Sequence, residues 1–584
     1  MKKPELTITA PTARSDRRSN AEIPNRLKTR AQSRNLMPNK ASVSRAEQKA
    51  LQKLSPFELK DKLIALAQAE TQRGTAQFLN AGRGNPNWLC TTAREAFATL
   101  LRFALEESKR VLDEPDLGGM PQKAGIAKRL IAFLDRNKEA GGTKLLRKAV
   151  TYGVDQLKFN ADTFVYELTD GIIGDMYPGP VRMLVCAERI VQEYLAQEMC
   201  EGRPPKGKYD LFAVEGGTAA MCYIFDSLMQ NKLLHRGDSI ALAVPTFTPY
   251  IEIPHFDRYQ FKVVNVDASQ ERRPDGTHDW QYSDEEIDKL ADKRIKVLFL
   301  VNPSNPPSYA MRAESRQRLV RLVKTKRPDL IIITDDVYGT FVPGFRSLMA
   351  DLPQNTIGVY SFSKHFGATG WRLGVVAIHE NHICDRALSK LPAKDRAMLN
   401  RRYSSLTLAP QKMKFVDRMV ADSRQVALNH TAGLSAPQQI QMTLFALFAL
   451  LDTATSYKTL CQLIIRRRNK AMWEGLGLPE PPPDDHAGYY AELDIMVWAE
   501  RTYGPEFVKF LRQNYECTDI LFRLAEQSGV VLLDGGGFGG PKWSVRVSLA
   551  NLPEEAYGKI GEYLREAAEE YVAEWRSAQK KNGR

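Results

Sequence analysis

Short apolar runs between residues 209 and 378 alternate with stretches of helical periodicity. Six of these runs are five or six residues long, the length of buried strands, and turn-forming residues separate them. They lie at 209–214, 239–244, 261–266, 296–301, 330–334 and 356–360. Because strand, loop and helix repeat in this order, we expect right-handed crossovers and a mostly parallel sheet, which is the α/β class.

The regions on either side of these runs have a different pattern. Ser55-Pro56 resembles a helix cap followed by proline in the first turn, and residues 94 to about 200 are mostly helical. Residues 438–451 predict a long helix. Near the end, residues 543–548 predict a further strand, which carries Arg546.

Composition narrows the class of protein. The chain is 43% hydrophobic and 26% charged over 584 residues, which is typical of a globular protein with more than one domain. Its longest apolar runs are about half of what a bilayer crossing requires, so we expect no membrane segment. The seven cysteines are scattered and lack Cys-x-x-Cys spacing. We therefore expect no metal site and a cytoplasmic location.

The positive charge is concentrated in one segment. The net charge is +13, and residues 1–50 alone hold twelve Lys and Arg against four Asp and Glu. This segment is poor in aromatic residues, so we interpret it as a disordered basic tail. An organelle-targeting peptide and a contact with a polyanion are the alternatives.

The most informative stretch follows the last apolar run. Residues 361–374 begin Ser-Phe-Ser-Lys, and Arg372 stands eight residues beyond Lys364. A lysine acts as a nucleophile near neutral pH only when it is desolvated beside fixed charges. The residue types favour a lysine that holds an aldehyde as a Schiff base, with serine and arginine binding an anion. For such a motif taken alone, a surface lysine in a turn is the alternative.

Further motifs stand at the ends of earlier strands, where open α/β sheets build their sites. The glycine turn 216–217 opens a helix and presents backbone N–H groups to an anion, although it lacks the Gly-Lys-Ser/Thr of a Walker loop. Prolines make the loop 302–307 rigid. Asp335-Asp336 ends the next strand, and helix capping is the alternative for such a pair.

The order and spacing of these motifs resemble fold-type I pyridoxal-phosphate enzymes of the aspartate-aminotransferase class. The resemblance covers residues 55 to about 575 and implies pyridoxal 5′-phosphate, held by Lys364, which would also carry protons. The further cofactor-binding residues that it implies are Asp335, Tyr338, Asn305, Phe247, Gly217, Thr218, Ser361, Ser363, Arg372 and Tyr177.

In that family the residue at Asp335 pairs with the cofactor's ring nitrogen, and those at Asn305 and Tyr338 contact its phenolic oxygen. Phe247 would stack on the ring. The hydroxyls, the glycine turn and Arg372 would bind the phosphate, with Tyr177 contributed by a neighbouring subunit. The proline-rich loop departs from the family pattern because 307–308 is Pro-Ser in place of Thr-Gly.

The arginines indicate the substrate. The resemblance implies that Arg546 clamps the α-carboxylate, whereas the family's arginine for the side-chain carboxylate of aspartate is absent at 429–431, which is Asn-His-Thr. The loop 82–84 instead holds Arg83 where the family has a small apolar residue, and Gly84 allows close approach. We expect Arg83 to receive the second carboxylate, with an exposed loop arginine as the alternative.

The resemblance is strongest to bifunctional enzymes that β-decarboxylate aspartate to alanine and CO₂ and also transaminate it. It implies a large domain at 94–460, with a helical insertion at about 380–425, and a small α+β domain from 51–93 and 461–584. A homodimer is the minimum assembly if Tyr177 acts across subunits, and the insertion favours a larger homo-oligomer.

Two other functions are alternatives. A plain class I aminotransferase would give oxaloacetate from aspartate but no alanine. A cofactor-binding transcription regulator would carry a helix-turn-helix domain, but the tail contains no compact apolar helices, so no nucleic-acid partner is expected.

Overall fold

A computed structural model describes residues 43–72, 77–113, 118–424 and 433–582. The predicted tail therefore lies mostly outside the described residues, as does the segment 429–431. Residues 41–584 belong to one compact unit.

Helices are distributed over the whole described chain. In chain order the α-helices are α1 Arg45–Leu51, α2 Pro56–Gln72, α3 Thr91–Arg110, α4 Ile126–Arg136, α5 Thr143–Asp155, α6 Ala161–Ile173, α7 Val185–Met199, α8 Gly217–Gln230, α9 Thr248–Glu252, α10 Asp284–Asp288, α11 Ala313–Lys326, α12 Leu348–Asp351, α13 Ile383–Lys390, α14 Ala393–Tyr403, α15 Phe415–Asp422, α16 Ala436–Leu451, α17 Ser456–Leu476, α18 Ile495–Tyr503, α19 Pro505–Asn514, α20 Asp519–Ser528 and α21 Glu554–Asn582. Local sequence sets the start of α16, where Ser435 and Gln438 form a capping box.

The strands form one large sheet and two small ones. They are β1 Leu79–Asn80, β2 Tyr209–Val214, β3 Ser239–Val244, β4 Lys262–Asp267, β5 Ile295–Val301, β6 Ile331–Asp335, β7 Thr356–Ser361, β8 Gly374–His379, β9 Tyr490–Asp494, β10 Val530–Val531, β11 Leu533–Asp534 and β12 Ser544–Ser548.

The large sheet has the strand order β2-β8-β7-β6-β5-β3-β4. The five neighbouring strands β4, β3, β5, β6 and β7 pair in parallel. Strand β8 is antiparallel to both of its neighbours, β7 and β2. The predicted α/β fold with a mostly parallel sheet is confirmed. As expected for crossover connections, the carboxyl ends of β3, β5, β6 and β7 meet at one edge.

A second apolar core lies beside the one around the large sheet. It contains residues from both halves of the chain, among them Leu63, Phe507, Val545 and Tyr557. Within it, β1 pairs in parallel with β10, and β11, β12 and β9 form an antiparallel sheet. The division into a large and a small domain, with its boundaries, stays a prediction.

The predicted tail ends earlier than residue 50. Helix α1 is capped by Ser44, and the Arg45 guanidinium donates to Glu516 at 2.7 Å. The Gln48 amide donates to Asp519 at 3.0 Å, and Val43 is buried in the second core. These long-range contacts hold a short basic helix that composition alone assigned to a disordered segment.

Helices α13, α14 and α15 lie in the segment 380–425, where a helical insertion was predicted. Among the residues that the structure describes, no helix combines the length and the apolarity needed to cross a membrane.

Candidate active site

Lys364 stands in the turn after β7 and is half-buried. Its Nζ atom donates to the Gly84 carbonyl at 3.0 Å and lies 5.8 Å from the centre of the Tyr489 ring. The Tyr489 hydroxyl donates to the same carbonyl at 2.9 Å. An amine held between a carbonyl and an aromatic wall is partly desolvated, as a nucleophilic lysine requires.

The backbone of the lysine turn is fixed from outside. The Trp88 indole donates to the Lys364 carbonyl at 3.2 Å. The Arg94 guanidinium donates to the carbonyls of Phe366, at 3.1 Å, and Gly367, at 2.7 Å. Gly367 has φ +59°, and a Cβ there would lie 2.0 Å from the Trp88 carbonyl oxygen, so this position requires glycine. Trp88 and Arg94 thus hold the turn in one conformation, and sequence motifs gave no sign of them.

The backbone of residues 215–217 and the side chain of Arg372 meet at the start of α8. Gly216 has φ +89°, and a Cβ there would come within 2.7 Å of Arg372 Nη2. Arg372 is exposed, itself left-handed at φ +57°, and donates to the carbonyls of Thr369 and Glu215 at 3.0 and 3.3 Å. The guanidinium therefore lies over a helix N-terminus, and both groups attract an anion.

Two buried serines, Ser361 and Ser363, lie at the end of β7 and in the turn that follows it. The Ser361 hydroxyl is 2.9 Å from the Ser363 hydroxyl and also accepts from the Ser363 backbone N–H at 3.3 Å. Thr218, predicted to join the same group, is exposed in the first turn of α8.

Asp335 ends β6 and is only 6% exposed. The Tyr250 hydroxyl donates to its Oδ2 at 2.7 Å, and the Val337 N–H donates to its Oδ1 at 3.2 Å. Burial raises the pKa of Asp335, while these donors and Lys364 oppose the rise. A Cβ on Gly217 would lie 3.4 Å from Asp335 Oδ2, so this glycine keeps the space before the carboxylate open.

Asp336 faces a different environment. It accepts hydrogen bonds from Thr334, at 2.6 Å, and Ser347, at 2.5 Å, and burial raises its pKa to about 7. The two adjacent aspartates are therefore not equivalent, and Asp336 ties the strand end to the start of α12.

Arg546 lies on β12 and is 2% exposed. It donates to the Asn305 side-chain oxygen at 3.3 Å and to the Gly82 carbonyl at 3.1 Å. Its guanidinium carbon is 4.4 Å from the centre of the Tyr490 ring and 4.7 Å from that of Phe538. Its Nε has no hydrogen-bond partner among the described residues. A buried, planar cation with a donor to spare suits a carboxylate.

Tyrosines complete this wall. The hydroxyls of Tyr338 and Tyr490 are 3.0 Å apart, and burial raises the pKa of Tyr338 well above its usual value, so it is a neutral donor. Phe247 is half-buried after β3, with its ring at 88° to that of Tyr250 and 5.2 Å from it. Tyr250, Tyr489 and Tyr490 were not predicted. The adjacent Tyr489-Tyr490 pair at the start of β9 is the local signal for the last two.

Two further predicted residues are exposed. Arg83 is exposed in the loop that Gly84 shares, and Tyr177 is 73% exposed between α6 and α7. The segment without the family arginine, 429–431, falls outside the described residues.

The residues present fit pyridoxal 5′-phosphate. The helix N-terminus, Arg372 and the serine hydroxyls suit a phosphate, and Asp335 suits a protonated ring nitrogen. Lys364 supplies the amine, and Gly217 keeps space open in front of Asp335. Burying the carboxylate of Asp335 and the guanidinium of Arg546 costs free energy unless a ligand or partner group compensates their charges. A bound cofactor and a carboxylate substrate would provide that compensation.

Comparison with known proteins assigns the chain and its fold to a class. The sequence profile of the family Aminotransferase class I and II matches residues 212–564. The chain belongs to this family, whose cofactor is pyridoxal phosphate.

One relative matches almost throughout. It is a bifunctional aspartate aminotransferase and L-aspartate beta-decarboxylase from a Pseudomonas species, 48% identical over 91% of this chain and 98% of its own length. Among solved structures, a single mutant of the Thermus thermophilus aspartate aminotransferase is similar at a TM-score of 0.53 and 17% identity, covering 88% of this chain and 97% of that one. The Rhizobium meliloti aspartate aminotransferase gives 0.52 and 16%, covering 88% and 96%. The predicted class and cofactor are confirmed, while the roles of single residues stay predictions.

Proposed function

We propose that the protein removes the β-carboxyl group of L-aspartate to give L-alanine and CO₂, and also acts as an aspartate aminotransferase. The observation that carries the proposal is the 48% identity with a bifunctional relative across 91% of the chain. The arrangement of Lys364, Asp335 and Arg546 supports it independently, because it provides for the cofactor and a carboxylate substrate together.

When bound, pyridoxal phosphate withdraws electrons from the carbon that carries the substrate's amino group. Lys364 holds the cofactor covalently at rest, and its Nζ then takes the α-proton of the substrate and returns a proton in the second half of the reaction. Its hydrogen bond to the Gly84 carbonyl supports this role, because the released amine has an acceptor within reach.

The surrounding groups hold charge. Asp335, which accepts hydrogen bonds from Tyr250 and Val337, would keep the ring nitrogen of the cofactor positive, and Tyr338 and Asn305 would donate to its phenolic oxygen. Phe247 fixes the ring plane. The phosphate is held by Ser361, Ser363, Arg372, Gly217 and Thr218, with Tyr177 from a neighbouring subunit.

The arginines determine which bond breaks. Arg546 holds the α-carboxylate in one orientation. An arginine fixed on the β-carboxylate would stabilise the charge that decarboxylation must disperse, and residues 429–431 contain none. Arg83, in the loop beside Gly84, instead helps to receive or orient the β-carboxylate from another direction. Loss of CO₂ and transamination then compete for the same bound substrate.

Assembly completes the site in this proposal. Tyr177 lies within a short segment that also exposes Met176, Val181 and Val185, and such an apolar patch is typical of a subunit interface. We infer a homodimer at least, with a larger homo-oligomer favoured by the segment 380–425. The scattered cysteines support a cytoplasmic location.

Purified protein incubated with aspartate, pyridoxal phosphate and a 2-oxo acid that accepts the amino group tests the proposal when CO₂, alanine and oxaloacetate are followed together. We expect alanine and CO₂ in equal amounts, with oxaloacetate as the competing product. Oxaloacetate without alanine would favour the plain aminotransferase, and turnover of neither would reject both.

A further inference from the structure

The sheet formed by β11, β12 and β9 has two contrasting faces. Ala491, Val545 and Val547 point into the second core, as alternation along a strand requires. On β9 and β12 the opposite face is mostly polar and yet buried. It carries Tyr490, Glu492, Ser544, Arg546 and Ser548, together with the half-buried Asp494, and Leu533 of β11 pairs with Arg546 on the same side.

Glu492 is the acid on this polar face. It is the direct cross-strand partner of Arg546 and only 8% exposed. Cross-strand partners point to the same side of a sheet, with their Cβ atoms about 5 Å apart. The Ser544 hydroxyl donates to Glu492 Oε1 at 2.8 Å, while Oε2 has no hydrogen-bond partner among the described residues.

The carboxyl group is also confined. A Cβ on Gly540 would come within 2.6 Å of Glu492 Oε1, and one on Gly535 within 3.0 Å. The glycine-rich loop 535–540 therefore closes directly over the acid. A neighbouring residue of that loop, Phe538, covers the guanidinium of Arg546.

We propose that Glu492 is a positioning residue whose charge controls how tightly Arg546 holds the substrate's α-carboxylate. The inference rests on the carboxylate role proposed above for Arg546. A neutral Glu492 leaves the whole guanidinium charge to the substrate. An ionised Glu492 competes for that cation and adds a second anion in a site with little water.

The charges around Glu492 favour its neutral form. Burial is the largest effect on its pKa, and the carboxylates of Asp494 on β9 and Asp534 on β11 repel a further negative charge. Arg546 and the Ser544 hydroxyl oppose them, and the pKa of Glu492 is raised to about 8. Asp494 is itself bound to His278 at 2.7 Å, so its charge is partly compensated. Binding of a carboxylate to Arg546 is then coupled to proton uptake by Glu492, and affinity falls as the pH rises through this range.

Succinate is the probe for this coupling, because it has two carboxylates and no amine that titrates near this pH. The holoenzyme is titrated with succinate at about pH 7 and about pH 9, and binding is followed by the absorbance of the lysine-bound cofactor. For the wild type we expect the Kd to rise at least about five-fold between the two conditions. Glu492→Gln should reduce this ratio to near one, whereas Glu500→Gln, which alters an exposed carboxyl on α18, should keep the wild-type ratio.

A second variant guards against misfolding of the first. Ser544→Ala removes a donor that stabilises the ionised acid, so the midpoint of the pH dependence should move to higher pH. The inference is overturned if the wild-type affinity does not change with pH, if Glu492→Gln keeps the wild-type ratio, or if Ser544→Ala leaves the midpoint in place. Arg546→Gln separates this from the proposed function. Normal succinate affinity in that variant would reject the carboxylate clamp itself.

Discussion

The two halves of the candidate site are built in different ways. The proposed cofactor half consists of Gly217, Asp335, Ser361, Lys364 and Arg372. The proposed substrate half consists of Arg83, Tyr490, Glu492 and Arg546. The first half stands at neighbouring strand ends of one sheet over one core. The second is joined across 464 residues, where Arg546 reaches the Gly82 carbonyl.

Because the two halves are built differently, mutations in each half should change a different set of properties. The cofactor half is braced by its own sheet and by Trp88 and Arg94, so changes there should alter cofactor retention and every reaction alike. The substrate half depends on the fit between two cores. Changes there should alter substrate affinity and product ratio while the cofactor stays bound.

The largest effect is expected from Lys364→Ala in the cofactor half. Without the amine, the covalent link to the cofactor and the proton transfers are both lost, and turnover should fall on the order of a thousand-fold or more. The absorbance of the lysine-bound cofactor and the release of CO₂ and oxaloacetate measure this. Lys390→Ala, on the exposed side of α13, is the control. A Lys364→Ala protein with wild-type spectrum and activity would reject the assignment.

Arg546→Gln should be the most severe change in the substrate half. Loss of a buried, two-pronged donor should lower kcat/KM for aspartate about a hundred-fold, with a much smaller change in cofactor affinity. Steady-state kinetics at saturating cofactor check this. Arg546→Lys keeps the charge but not the fork and should restore only part of the activity. A larger loss of cofactor affinity than of kcat/KM would show that the halves are not separable.

Arg372→Ala should give the reverse pattern. Its two nitrogen donors lie over the start of α8, and their loss should weaken cofactor binding about ten- to hundred-fold. Once cofactor is saturating, KM for aspartate should change little. Equal cofactor affinity in the variant and the wild type would contradict the phosphate role.

Arg83→Ala should have a moderate effect confined to the substrate half. Because Arg83 is exposed, we expect KM for aspartate to rise only about two- to five-fold, with a shift in the ratio of alanine to oxaloacetate. Product analysis at saturating aspartate separates the two effects. Arg83→Lys should stay nearer to the wild type, and an unchanged ratio in Arg83→Ala would exclude Arg83 from the choice of bond.

The smallest effect concerns stability. The folded-state pKa of Glu492, about 8, lies above the usual value for glutamate, so the folded protein holds an extra proton below that pH. The contribution of this raised pKa to the free energy of unfolding is complete below the usual pKa of glutamate and is lost as the pH rises through about 8. Glu492→Gln should therefore gain in Tm relative to the wild type on going from about pH 6 to about pH 9. Thermal unfolding of both proteins at each pH measures it, and a constant difference would contradict the raised pKa.

The contrast between the halves also explains what could be predicted from sequence. Lys364, Asp335 and the glycine turn at Gly217 are local motifs at strand ends, and the sheet brings such ends together by its topology alone. Arg546 was predicted to lie in a strand from its apolar neighbours, but its role as a carboxylate clamp came only from the resemblance to the family. Their proximity in the structure agrees with the predicted fold.

The residues missed by sequence are those whose role depends on distant packing. Trp88 and Arg94 bind carbonyls of the lysine turn, and Glu492 matters only because β9 pairs with β12 in one register. No local pattern encodes such pairs. Composition also placed α1 in the tail, because a short polar helix held by contacts with Glu516 and Asp519 has the same residue types as a disordered segment.

The pairing of β1 with β10 has a consequence for biosynthesis. Leu79 and Asn80 find their partners, Val530 and Val531, only after most of the chain has been made. At about 5–20 residues per second, the ribosome needs tens of seconds to cover that interval. During this time the apolar side of α2, with Leu59 and Leu63, has no core to enter, while the large sheet can already assemble. The nascent chain therefore exposes the apolar side of α2 to the cell while the rest of the chain is being made. Chaperones that bind exposed apolar segments should associate with it before synthesis is complete.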